Sequence, residues 1–230
     1  YRFANSSNNA SISNQGAITV ANTGTAALIA PSIQQAGSII NNDGSILLTA
    51  ASDVTLSLTN RVLNSQTINA GHNSATINHS AGSIQADGGK VILTAQGVNS
   101  SSTASISSAG SIRAQTLAGN DRGAIDLISD MASGAVNLTG TLDASAPTNG
   151  FGGTIRTFGA DVVVANSASV TTRKVNQTNL PTTSSYWQIK ANSINVGSGG
   201  TISGSTLSSS LNDGSVTLTA SGTDTGQGSI

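Results

Sequence analysis

Apolar and polar residues alternate along this chain in short phrases, and the phrases return in a fixed order. The stretch Gly82-Ser-Ile-Gln-Ala-Asp-Gly-Gly-Lys-Val-Ile-Leu-Thr-Ala95 holds two of them, separated by an Asp-Gly-Gly turn. The first puts Ile84 and Ala86 on one face, the second Val91, Leu93 and Ala95. A period of two is the strand period, because successive side chains point to opposite faces. The second phrase recurs as Ala26-x-Leu28-x-Ala30, Ile46-x-Leu48-x-Ala50 and Val216-x-Leu218-x-Ala220. Looser copies are Ile125-x-Leu127-x-Ser129, Val136-x-Leu138-x-Gly140 and Trp187-x-Ile189-x-Ala191. The first phrase, a small residue, then Ser, Thr or Ala, then an aliphatic, starts at 16, 37, 82, 110, 140, 168 and 200. A third phrase often precedes it, at Ala10-Ser-Ile12, Pro31-Ser-Ile33, Ala75-Thr-Ile77 and Ala104-Ser-Ile106.

One unit is therefore three short strands joined by turns. The starts of the first phrase are spaced by 21, 45, 28, 30, 28 and 32 residues. The shortest spacing is the bare unit, and the longer ones add loops. The gap of 45 holds either an extra turn around Gln66-Thr-Ile68-Asn-Ala70 or one turn with a large insertion. A three-strand unit of this size is too small for a propeller blade and cannot bury its apolar face alone. Stacked on its neighbours about 4.8 Å apart, it closes a narrow aliphatic core. The prediction is an all-β parallel β-helix of about eight to ten turns with loop insertions, roughly 40–50 Å long. The alternative is a β-sandwich, which also shows many short strands. A sandwich would not repeat the same residue types at matching points of successive units.

Composition sharpens this picture. Charged residues are 8% of the 230, against about 25% in a typical soluble domain. All ten acidic residues are Asp, so Ser, Thr and Asn must solubilise the surface. Strong helix formers are scarce and turn formers abundant, so almost no helix is expected. The net charge of −1 gives no electrostatic case for nucleic acid or an anionic membrane. No apolar run approaches the roughly 20 residues of a membrane-spanning helix. Cysteine is absent, which fits a chain that crosses membranes unfolded. No cationic-then-apolar leader is visible, and Tyr1-Arg-Phe3 starts in mid-pattern. An excised or processed fragment is the expectation.

Candidate chemistry is sparse. No nucleophile elbow, P-loop or dinucleotide fingerprint occurs. His72 and His79 lie in a polar stretch without Cys or Glu nearby, and read as exposed turn residues rather than a zinc site. Asp121, Asp126 and Asp130 are the densest acids, with Asp126 facing outward from a strand. Such a group would suit glycoside cleavage, which needs an acid and a base, or calcium. Neither a catalytic residue, a metal ligand nor a cofactor is assigned. Thr171–Tyr186 is the largest loop, with Arg173 and Lys174, and runs into Tyr186 and Trp187. Trp187 takes a core position in its phrase and Tyr186 faces out beside the basic loop. Arg173, Lys174, Tyr186 and Trp187 are the candidate binding residues, for a sugar or a receptor.

The segments Ala-Ser-Ile-Ser-Asn-Gln-Gly-Ala-Ile-Thr-Val-Ala (10–21), Gly82–Ala95 and Tyr-Arg-Phe (1–3) resemble the filamentous-haemagglutinin family of large exoproteins. The resemblance is strong over residues 1–115 and compositional over 116–230. It implies the later part of a secretion-related domain over 1–115, followed by shaft with extra-helical loops. It also implies a right-handed β-helix exported by two-partner secretion through a dedicated outer-membrane transporter. The family's Asn-Pro-Asn motifs do not occur here and belong upstream. The implied role is non-enzymatic: a structural or adhesive segment of a secreted, cell-surface bacterial protein that projects a distal region. Host receptors or extracellular polysaccharide are the further partners implied. Alternatives are a carbohydrate-binding β-helix, a polysaccharide-active enzyme or the stalk of a contact-dependent toxin.

Overall fold

The computed structural model describes residues 1–4, 9–21, 23–117, 122–146, 151–165, 167–172, 185–196 and 215–220. Among them there are strands, turns and no helix. The strands, β1 to β23, form three parallel sheets and one small antiparallel sheet. The first parallel sheet stacks β2 (Ser11–Asn14), β5 (Ser32–Gln35), β10 (Ser74–His79), β13 (Thr103–Ser108), β16 (Gly134–Leu138), β19 (Asp161–Val164) and β22 (Ser193–Val196). The second stacks β3 (Ala17–Thr19), β6 (Ser38–Ile40), β11 (Ser83–Gln85), β14 (Ser111–Arg113), β17 (Thr141–Asp143) and β20 (Ser169–Thr171). The third stacks β4 (Thr25–Ile29), β7 (Ser45–Ala50), β12 (Lys90–Ala95), β15 (Ala124–Ser129), β18 (Thr154–Phe158), β21 (Tyr186–Ala191) and β23 (Ser215–Ala220). Three parallel sheets of strands stacked in chain order are what a β-solenoid requires.

Each phrase of the sequence builds one sheet. The third phrase makes the first sheet, with Ile12, Ile33, Ile77, Ile106, Val136, Val162 and Ile194 in register. The first phrase makes the second sheet, aligning Ile18, Ile39, Ile84, Ile112, Leu142 and Val170. The second phrase makes the third, aligning Leu28, Leu48, Leu93, Leu127, Thr157 and Ile189. From Ile33 to Ile189 these columns merge into one buried cluster. Like sits on like because one turn repeats the next, so an aliphatic is covered by the same kind of side chain above and below, except where Thr157 separates Leu127 from Ile189.

Two assignments need correction. Val136-x-Leu138 belongs to the first sheet, not the third, since β16 pairs with β13 and β19. Its place in the third sheet is taken by β18, whose second inward residue is Thr157 rather than an aliphatic. The gap of 45 is one turn with an insertion, because Ile84 pairs directly with Ile39. The insertion is an antiparallel hairpin of β8 (Asp53–Thr59) and β9 (Val62–Ala70), with β1 (Arg2–Ala4) along its other edge. Its turn residues Asn60 and Arg61 both have positive φ, 51° and 71°, as a two-residue hairpin turn demands.

Glycine sets the corner that opens the second sheet. The residue after each glycine donates its backbone N–H to the glycine carbonyl one turn back: Ser38 to Gly16 at 2.8 Å, Ser83 to Gly37 at 3.1 Å, Ser111 to Gly82 at 3.0 Å, Thr141 to Gly110 at 3.1 Å. A Cβ at Gly82 would lie 1.9 Å from the Gly37 carbonyl oxygen, and Gly82 has φ of 76°. The small residue of the first phrase is thus fixed by the approach of one backbone to the next.

Candidate functional site

The outer face of the third sheet carries a cluster of three charged side chains, Lys90, Asp126 and Arg156. Register aligns Leu47, Ile92, Asp126, Arg156 and Gln188 in one outward row. Parallel to it runs Ser45, Lys90, Ala124, Thr154 and Tyr186. The two halves of this face differ. Over β4, β7 and β12 the outward residues include the aliphatics Ile29, Leu47 and Ile92. The hairpin packs on them with Val54, Leu56, Leu63 and Ile68, making a second small core outside the solenoid. Beyond β12 the face opens into a trench of about 570 Å³, bounded by β9 on one side and floored by Ile92, Thr94, Asp126 and Ile128.

Asp126 lies at the charged end of that trench. It points outward as its strand period predicts, yet is only 1% exposed. Arg156 clamps it with both arms, Nε donating to Oδ1 at 2.6 Å and Nη2 to Oδ2 at 2.5 Å. Lys90 Nζ stands 3.2 Å from Oδ2. A carboxylate removed from water is tolerated here because two cations from neighbouring turns replace its hydration. The Arg156 guanidinium is held above its usual pKa, first by the hydrogen bonds to Asp126. The triad carries a net charge of +1. Both oxygens of Asp126 are occupied, and it is the one acid among the trench residues.

The candidate binding residues divide. Trp187 is fully buried, and its Nε1–H donates to Thr157 Oγ1 at 3.1 Å. It fills the core and presents no face to a ligand, which removes it from a binding surface. Tyr186 is half-buried on the outer face, in register with Thr154 and close to Arg156. Arg173 and Lys174 lie outside the described residues, as does Asp121. Asp130 is buried and accepts from Gln96 Nε2 at 2.7 Å and the Ala132 N–H at 2.7 Å. No group of three or more His, Cys, Asp or Glu able to hold a metal occurs among the described residues.

Both histidines are buried, not exposed as the polar surroundings predict. His72 folds back on its own turn, its Nδ1 accepting the Ser74 N–H at 3.1 Å. His79 joins an inward polar column with Asn14, Gln35 and Ser108. Asn14 Nδ2 donates to Gln35 Oε1 at 2.9 Å, and His79 Nδ1 lies 3.2 Å from Ser108 Oγ. Such corner ladders are expected where Asn and Ser stack. The histidine is hidden because its ring replaces an amide in that column.

Burial pushes the His79 pKa down to about 4. The unfolded chain binds the proton near the ordinary 6.5, so stability is full above that value and falls as pH drops towards 4. The loss amounts to about 3 kcal/mol once the pH is below both values. Urea midpoints of wild type and His79→Gln measured from pH 7.5 to 4 check this. The variant should lose the part of the pH slope between those limits. Parallel slopes would remove His79 as their cause.

No family model, curated protein or solved structure matches the chain.

Proposed function

We propose that this chain is a structural or adhesive segment of a secreted bacterial exoprotein, exported by two-partner secretion and built as a right-handed β-helix of about eight to ten turns. The observation that carries the reading is the register that stacks aliphatic columns through three parallel sheets. A stack of this kind folds by adding turns to turns, since each unit contacts chiefly its neighbours. Directional growth of that sort suits a chain that emerges unfolded from an outer-membrane transporter and must then stand away from the cell. The absence of cysteine from the sequence agrees with passage as an uncross-linked chain. The segments 1–3, 10–21 and 82–95, which resemble filamentous haemagglutinins, supply the family reading.

The test is secretion and adhesion of the full exoprotein with and without Thr171–Ser185. Loss of adhesion, with normal export and an unchanged β-rich circular dichroism spectrum, makes that segment a contact surface. Unchanged adhesion leaves the segment as scaffold. Export that does not depend on an outer-membrane transporter would sink the secretion reading.

A further inference from the structure

The trench beside β9 has the chemistry of a seat for one more strand. The hairpin lies face to face on the third sheet, with Leu63 and Ile68 of β9 in the same cluster as Ile92 of β12. Strands in both layers are spaced by about 4.8 Å. Beyond β9 the trench is lined by Asp126 and Ile128 of β15 and by Arg156 of β18, which no strand of the hairpin covers.

Three observations say that it suits an extended polypeptide. First, β9 ends the order β1-β8-β9, so its second edge has no neighbouring strand among the described residues. Its nine residues, Val62–Ala70, contain no charge, proline or glycine. Exposed edges are usually blunted by such residues, because a bare edge templates pairing. Second, Gln66, which lines the trench, keeps a buried Oε1 with no donor. An unmet buried acceptor costs free energy until something supplies an N–H. Third, the floor alternates in the strand period. Asp126 with its two cations is followed two residues on by half-buried Ile128. Arg156 uses two of its five N–H groups on Asp126, and Lys90 one of its three.

We propose that this trench binds an extended segment of a partner protein, which adds to the free edge of β9 as a fourth strand of the outer sheet. The segment places an acidic side chain against Lys90 and Arg156 and an aliphatic one on Ile128. Main-chain hydrogen bonds to β9 provide affinity, and the alternating floor provides selection. The net positive charge of the triad sets the sign of the incoming residue. This docking does not depend on the secretion reading.

The probe is a fluorescein-labelled peptide, Thr-Asp-Thr-Val-Thr-Val-Thr, whose Asp and Val side chains share one face. Fluorescence anisotropy with the whole chain should give saturable binding. Hydrogen exchange of the backbone over 62–70 should slow when the peptide is present. A peptide N-methylated at alternate residues, which removes donors on one edge, should bind at least about tenfold more weakly. Changing its Asp to Asn, or Ile128→Lys in the protein, should weaken binding by about tenfold. The peptide arms decide the matter even if the Ile128 variant folds poorly. No binding, or equal binding of the N-methylated peptide, overturns the proposal. Binding of a galacturonate oligosaccharide that is lost on Lys90→Gln, where the peptide does not bind, would assign the trench to a glycan and overturn it also.

Discussion

Replacing Gly82 by alanine is expected to destabilise the fold by about 3–5 kcal/mol. Two costs combine. The residue has φ of 76°, a conformation that L side chains rarely adopt. The new Cβ would also meet the Gly37 carbonyl oxygen at 1.9 Å and the Ala36 oxygen at 2.5 Å. Both obstacles are backbone, so no side chain can swing aside. The turns must separate locally, and the Ser83 N–H to Gly37 bond at 3.1 Å lies directly at that contact. Gly16 is the internal control. It stands at the same corner, yet a Cβ there meets nothing within 4 Å. Gly16→Ala should therefore change stability little.

The consequence of Gly82→Ala should be local before it is global. In a solenoid each turn is held by the next, so weakening one junction uncouples the turns on either side. Urea unfolding followed by circular dichroism should split into two transitions or broaden. Hydrogen exchange should rise first in β6 and β11, which meet at the altered corner. A variant with the wild-type midpoint and a single sharp transition would show that the corner has room that the geometry denies.

The three sheets were legible because each phrase has its own small-residue or turn context. Ile39 and Ile84 could be matched before their pairing was known, since both follow Gly-Ser. The turn at Asp87-Gly88 was legible for a similar reason, and Gly88 indeed has φ of 73°. The hairpin's place was less visible, although a signal existed. Ile46-Leu-Leu48 and Val91-Ile-Leu93 are unbroken aliphatic runs, which mean burial on both faces of a strand. Leu47 and Ile92 occupy the outward position of those runs, and the hairpin is what covers them.

The charged triad was hidden by one misplaced strand. Lys90 precedes Val91, Asp126 follows Ile125 and Arg156 follows Ile155. Once β18 is recognised as a copy of the second phrase, Asp126 and Arg156 fall at the same position of successive turns. Thr154–Phe158 escaped recognition because Thr157 stands where an aliphatic is expected. Its reason lies one turn on. The indole of Trp187 needs an acceptor for its N–H, and the Thr157 hydroxyl provides it. The departure from the repeat at 157 and the large residue at 187 are a single feature, visible only after the strands are paired.

Trp187→Ala should accordingly be the most damaging change in the third sheet, at about 3–5 kcal/mol. The side chain is fully buried and stacks against Ile155 in register. Its removal leaves a cavity in a narrow core that has few other side chains to collapse into it. It also leaves the Thr157 hydroxyl without its donor, which adds the cost of an unmet buried polar group. Trp187→Phe should recover much of the packing but not the hydrogen bond, and should fall between the two. The residue is the chain's one tryptophan, so the wild-type protein reports on itself. Its emission should be blue-shifted when folded and move red in a single step on unfolding. Hydrogen exchange in the alanine variant should rise in β18 and β21 while β7 and β12 stay protected, because coupling decays from turn to turn. A stable Trp187→Ala protein with a red-shifted wild-type emission would place the ring at the surface instead, and would return it to the binding residues from which its burial removes it.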